Sequence, residues 1–440
     1  MQQFSTDIEE DRQPPLSIPF GHFVVGAAVL LIGGSIAGLG SFLSGISPAG
    51  AGSLHLLLAG WVGLTIMGAM TQFVPVWSGR GLHSRRLSVA SLWLVALGLA
   101  GLVSGFFLRA YGWLPLGGTL LVIGFWTFAY NLVRTLPSVR EQDITEAHFT
   151  FALGSLVVGA GLGLLLASHY AFRILDGLLN PSRLVLAHLT LTVFGFILAT
   201  IVGALYQLAP MFTQAETTAI DSRLAHVEMV ALPGGIVLLA AGRLIGSDVL
   251  ATFGAVSLSL GTFVFAGFLA RQLVTARVET SPLLRRYALV DLSLFGWVLL
   301  TLPYWLSDPL SLFGRFGSPA GTHLLFVGVI TLTILGTFYH VVPFIVWYHR
   351  YSDRLGYESV PMIDDLYDDR LARLEFLLLG VGLGSLWIGD VLSAPTWVIA
   401  AGGNLLGVAV LLFGVNMMGV VWRHRPETFR EVFTLLINRN

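Results

Sequence analysis

The chain has 440 residues, 55% of them hydrophobic and 11% charged, with a mean hydropathy of +0.80. It has no cysteine, which excludes disulfides, thiolate-bound zinc or iron–sulfur clusters, and the thioether attachment of a c-type haem; any haem would be held without covalent links. The 24 basic residues are all arginine, set against 25 acidic ones, and the net charge of −1 gives no ground to expect a nucleic-acid partner.

Runs of about twenty apolar residues, the length that crosses a bilayer, follow one another along the chain, so the lipid bilayer is the expected partner. The first nineteen residues carry Asp7, Glu9, Glu10 and Asp11 and lack the positive start and cleavage site of a signal peptide; they are expected to be a tail that leaves the first span in place. Twelve helices are predicted. The first four lie near 20–46, 53–77, 87–109 and 112–133, and the next four near 148–169, 184–211, 225–246 and 248–271. The last four lie near 287–306, 321–347, 372–392 and 396–421, followed by a C-terminal tail over 422–440.

An even count puts both termini on one side. The loops on that side hold nineteen arginines, among them Arg80, Arg85, Arg86, Arg285, Arg286, Arg423 and Arg425, whereas the other side holds Arg109, Arg173, Arg183, Arg243 and Arg315. The positive-inside rule makes the termini cytoplasmic in the plasma membrane of a prokaryote and places His55 in the outer half of the membrane. The long loop from Tyr351 to Arg370, with Asp364, Asp365, Asp368 and Asp369, reads as a solvated acidic connection.

Three stretches align without gaps on a proline. They are "LHLLLAGWVGLTIMGAMTQFVPVWSG" from Leu54, "AHLTLTVFGFILATIVGALYQLAPMF" from Ala187 and "THLLFVGVITLTILGTFYHVVPF" from Thr322, with Pro75, Pro210 and Pro343 in register. Fifteen residues before the proline stands a glycine (Gly60, Gly195, Gly328), ten before it a threonine (Thr65, Thr200, Thr333) and seven before it another glycine (Gly68, Gly203, Gly336). Three before it come Gln72, Gln207 and His340. The fold class expected is an all-α integral membrane protein with a single membrane domain over 20–421, built as three pseudo-repeats of four helices near 20–133, 148–271 and 287–421. Repeats with an even number of spans share one orientation, unlike the inverted repeats of many secondary transporters.

Twenty residues before the proline the three copies hold His55, Thr190 and His323. In ideal α-helical geometry the two repeat glycines lie about 140° to either side of that slot, so a small-residue seam is expected on the helix face opposite the histidine. His188 stands two positions earlier, at similar depth but on a different face. An imidazole in the membrane can be a hydrogen-bonding group between helices, a proton relay or a metal ligand. Spacing alone leaves these open, although two histidines at equivalent depths in helices 2 and 10 suit a haem closed off by two axial imidazoles. Its propionates would point to the outer surface, where Arg173, Arg183 and Arg243 are among the few partners; snorkelling at the interface explains the same arginines. His188 is a candidate for a second metal or gas-binding site. His22, His148, His169, His226, His340, His349 and His424 fall near predicted helix ends, where an interfacial role is expected. Glu228 and Asp291 are buried acids for which proton movement and a plain hydrogen bond are the two readings.

These residues resemble subunit I of the haem-copper oxidase superfamily. The stretches "GWVGLTIMGAMTQFVPVWSG" and "GVITLTILGTFYHVVP" are similar to helices of C-type oxidases, and the run from His55 through Gly60, Gly68, Pro75, Trp77 and Gly79 is similar to the haem- and copper-associated NnrS family linked to nitric oxide. The resemblance implies twelve helices in three repeats, with a non-covalent low-spin haem b on His55 and His323 near the outer face. It implies a role in electron transfer or in a nitric-oxide or oxygen related response, alongside other respiratory-chain subunits or an electron donor protein. The departures bear on activity. The place of the catalytic-haem histidine in helix 10 holds Gly321, helix 7 has only His226 at its end, and the aligned slot of helix 6 holds Thr190. The binuclear centre, and copper with it, is therefore not supported. The alternatives are a divergent terminal oxidase or nitric oxide reductase subunit, which would need His188 to recruit a metal, and a haem-free membrane protein or transporter with structural histidines.

Overall fold

The computed structural model describes residues 14–15, 17–41 and 48–424. The predicted N-terminal tail up to residue 13, the C-terminal tail from 425, and residues 42–46 of the first predicted helix lie outside the described residues, as does the His349 side chain. Among the described residues the chain is all-helical, with no strand. Eleven helices among the described residues are long and apolar enough to cross a membrane, and the chain is a multi-pass α-helical membrane protein. Helices suit this composition because a backbone in hydrocarbon has only its own groups to bond with.

The described residues fall into two compact units, one holding those up to 33 and from 48 to 204, the other those over 34–41 and from 205 to 424. The first contains α1 (Ser17–Ser41, through residue 33), α2 (Gly50–Ser78), α3 (Arg85–Phe107), α4 (Tyr111–Thr135), α5 (Ile144–Phe172) and most of α6 (Pro181–Thr213). The second contains the end of α6, then α7 (Ala219–Ile245), α8 (Asp248–Val274), α9 (Pro282–Ser307), α10 (Pro319–Tyr348), α11 (Asp369–Leu392) and α12 (Thr396–His424).

Polar residues set the ends, and several helices start earlier than hydropathy predicts. In α5 the carboxylate of Asp143 accepts from the Glu146 N–H and Glu146 accepts from the Asp143 N–H, a reciprocal cap that moves the start from the predicted 148 to Ile144. In α7, Asp221 accepts from the Thr218 N–H at 2.6 Å and pairs with Arg271 of α8. Ser281 caps α9 ahead of Pro282, which carries Arg285 and Arg286 into the helix rather than leaving them in a loop. Asp368, read from sequence as part of a solvated loop, caps α11 by accepting from Arg370 and Leu371 N–H.

Helices α2, α6 and α10 are not uniform α-helices. Each contains a π-helical segment: His55–Val62, Thr190–Leu198 and Leu324–Thr331. The first two begin twenty residues before Pro75 and Pro210, and the third nineteen before Pro343. The i→i+5 bonding of a π-helix widens the turn without ending the helix. The seam itself faces α1: a Cβ on Gly60 would meet Val29 at 2.5 Å, and one on Gly68 would meet Phe23 and His22 at 2.8 and 2.9 Å.

Candidate functional site

In the first unit the structure brings together two of the histidines singled out in the sequence. The ring centroids of His55 and His188 are 6.3 Å apart with planes inclined by 19°, and Phe106 of α3 lies against His55 at 5.7 Å and 28°. His55 Nδ1 bonds the Ala51 carbonyl at 2.8 Å, and His188 Nδ1 bonds the Gly159 carbonyl of α5 at 2.8 Å. A carbonyl only accepts, so Nδ1 carries the proton in each ring. Each neutral imidazole then presents the lone pair of Nε2. Among the described residues neither Nε2 has a hydrogen-bond partner.

The His188 ring is positioned by what α5 lacks. It lies over Gly163, where a Cβ would meet Cε1 at 2.9 Å and Nδ1 at 3.2 Å, so any larger residue would displace it. Thr190, in the slot aligned with His55, is fully buried and donates its hydroxyl to the Leu186 carbonyl at 2.7 Å. Arg183 is exposed at the first turn of α6, five residues before His188 on the same helix.

His323 belongs to the second unit, at the last residue before the π segment of α10. Its Nδ1 pairs with the Asp390 carboxylate of α11, and no hydrogen bond to its Nε2 is present among the described residues. Asp390 is the residue sequence reasoning missed; a single acid in the apolar stretch "SLWIGDVL" was the signal for it. Gly321 packs against Trp297 and Thr301 of α9. His340 packs edge-on to Phe212 and parallel to Phe344.

Several sequence expectations change. His22 and His148 are both fully buried within the protein, with Nδ1 on the carbonyl four residues back at 2.8 Å, and they press on Gly68 and Gly203 respectively. Arg286 holds the same relation to Gly336, with its own NH1 on the carbonyl four residues back, and it pairs inside the unit with Glu375 instead of lining a loop. Arg243 is committed elsewhere than to a propionate. It is fully buried, donates to the carbonyls of Pro309, Gly314 and Arg315, and lies over the Trp305 ring. Asp291 is buried with Oδ1 lacking a partner among the described residues, and Glu228 is fully buried.

Among the described residues no three histidine, aspartate or glutamate side chains converge on one point. A zinc or copper ion held by protein alone needs three or four ligands, whereas a porphyrin supplies four equatorial nitrogens and asks the protein for one or two. No protein-family model matches the chain, and no curated protein matches it.

Proposed function

We propose that the chain is a membrane haem protein that carries single electrons, holding one haem b without covalent links through Nε2 of His55 and a second imidazole. The observation behind this is the state of the rings: His55, His188 and His323 each have Nδ1 engaged by an oxygen acceptor, which fixes the tautomer in which Nε2 coordinates. The sequence repeat nominates His323 for the second ligand, and the contacts of the first unit nominate His188. A bound haem iron would exchange one electron between ferric and ferrous states. The chain's part is to hold the imidazoles neutral and oriented, and Arg183 at the end of α6 suits a propionate.

The reading carries the fold of haem-copper oxidase subunit I, with three four-helix repeats, cytoplasmic termini and a prokaryotic plasma membrane. Two relations support the repeat: the π segments begin nineteen or twenty residues before the three prolines, and His22, His148 and Arg286 press in turn on Gly68, Gly203 and Gly336. The arginine asymmetry supports the orientation. An electron donor protein or respiratory-chain subunit is the partner, in an oxygen or nitric-oxide related process. Purified full chain should give a sharp low-spin b-type signal in a reduced-minus-oxidised spectrum. A folded, colourless protein after expression with haem precursor overturns the proposal.

A further inference from the structure

Resting on that haem reading, we infer that the second ligand is His188, so that His55 and His188 form the axial pair and the haem site is built within the first unit. Metal–nitrogen bonds of about 2.0–2.1 Å on opposite sides of one metal put two imidazole centroids roughly 6 Å apart. The observed separation is 6.3 Å, with nearly parallel planes. Aromatic packing alone spans that distance too. In both rings the Nδ1 proton is spent on a carbonyl, which leaves the Nε2 lone pair available to a metal. The buried Nε2 of His22 is also without a partner among the described residues, so an open lone pair alone marks no site and the choice of His188 rests on how its ring is held.

The anchoring of His188 adds a second argument. His22, His55, His148 and His226 all bond the carbonyl four residues back in their own helices, a local habit that by itself marks no site. His188 instead bonds Gly159 of a different helix and is seated over Gly163 of that helix, so α5 fixes its direction before any ligand arrives. The π segments contribute as well: His55 is the first residue of one, and His188 stands two residues before another. Such widened turns recur at functional sites because they re-aim side chains without ending the helix. With two protein ligands and no third, the group is a metallated macrocycle carrying its own equatorial nitrogens, and Arg183 on the His188 helix suits its carboxylates.

The test uses the full chain expressed with haem precursor and purified in detergent, with haem stoichiometry, the reduced-minus-oxidised spectrum and electron paramagnetic resonance of the oxidised form as readouts. The expected result is one haem per chain with a bis-imidazole low-spin signature that is lost in His55→Ala and in His188→Phe. The phenylalanine keeps a ring against His55 and supplies no ligand, so a folded His188→Phe protein without the low-spin signal separates ligation from packing. In His188→Gly, added imidazole should restore the signal. His323→Ala should leave it unchanged. If haem binds but the signal survives His188→Phe and disappears in His323→Ala, the pairing is overturned while the haem reading stands. If the folded wild-type chain takes up no haem, both fall together.

Discussion

Arg286 of α9 and Glu375 of α11 form an ion pair inside the second unit, with side chains 1% and 0% exposed. Arg286 also donates to the carbonyls of Pro282 and Ala372 and lies over the rings of Tyr339 and Phe376. Taking two charges out of water is expensive, and the pair persists because each compensates the other. Removing one partner should therefore cost more than removing both. Glu375→Ala is expected to destabilise the chain by about 3–5 kcal/mol, and Arg286→Met with Glu375→Leu to recover most of that. Thermal unfolding in detergent reads the difference. A Glu375→Ala chain as stable as the parent would show that the buried charge finds another partner.

His323 and Asp390 form a second helix-to-helix pair in that unit, and it separates stability from haem binding. Where a carboxylate supports a metal-bound histidine, its loss costs roughly 10–100-fold in affinity for the metal group. With His188 as the ligand, Asp390→Asn is expected to weaken the α10–α11 contact by about 1–3 kcal/mol and to leave haem affinity and midpoint potential unchanged. Haem titration and redox titration of the variant check this. A tenfold loss of haem affinity would place His323 on the iron.

How far the sequence reached depends on which physical signal it carries. Apolar length reports the spans directly, and the gapless alignment on Pro75, Pro210 and Pro343 marks the three helices in which the structure has π segments. Arg286 escaped because hydropathy averages over a window and treats an arginine as a loop residue, whereas a partner 89 positions away keeps it inside. The burial of His148 escaped for a related reason: the Asp143 cap extends its helix past the apolar stretch, so a residue at the apparent end is buried in the packing. The proximity of His188 to His55 is a contact between two helices, with the His188 ring seated over Gly163 of a third, and a single-helix projection contains neither.

Glycine placement yields the last prediction, since in a membrane the helices gain little from hiding apolar surface from one another and rely on close fit. Where α3 crosses α4, a methyl on Gly98 would fall on the backbone of Leu121, and one on Gly117 on the backbone of Leu102. Where α7 crosses α8, Gly235 and Gly242 face the backbones of Leu258 and Ala251, and Gly254 and Gly261 face those of Leu239 and Leu232. The obstacle is backbone in each case, so no rotamer change makes room. Gly98→Ala and Gly254→Ala are each expected to force the helices apart and cost about 1–3 kcal/mol or more. Gly154, Gly234 and Gly267 have nothing within 4 Å of the same position, so alanine there meets no neighbour and restricts the unfolded chain. Those substitutions should be neutral or stabilising by up to about 1 kcal/mol. Measured side by side in one detergent, the first set should melt below the parent and the second at or above it. If Gly98→Ala and Gly154→Ala behave alike, the crossings are looser than the structure describes, and the close approach of α3 to α4 is wrong.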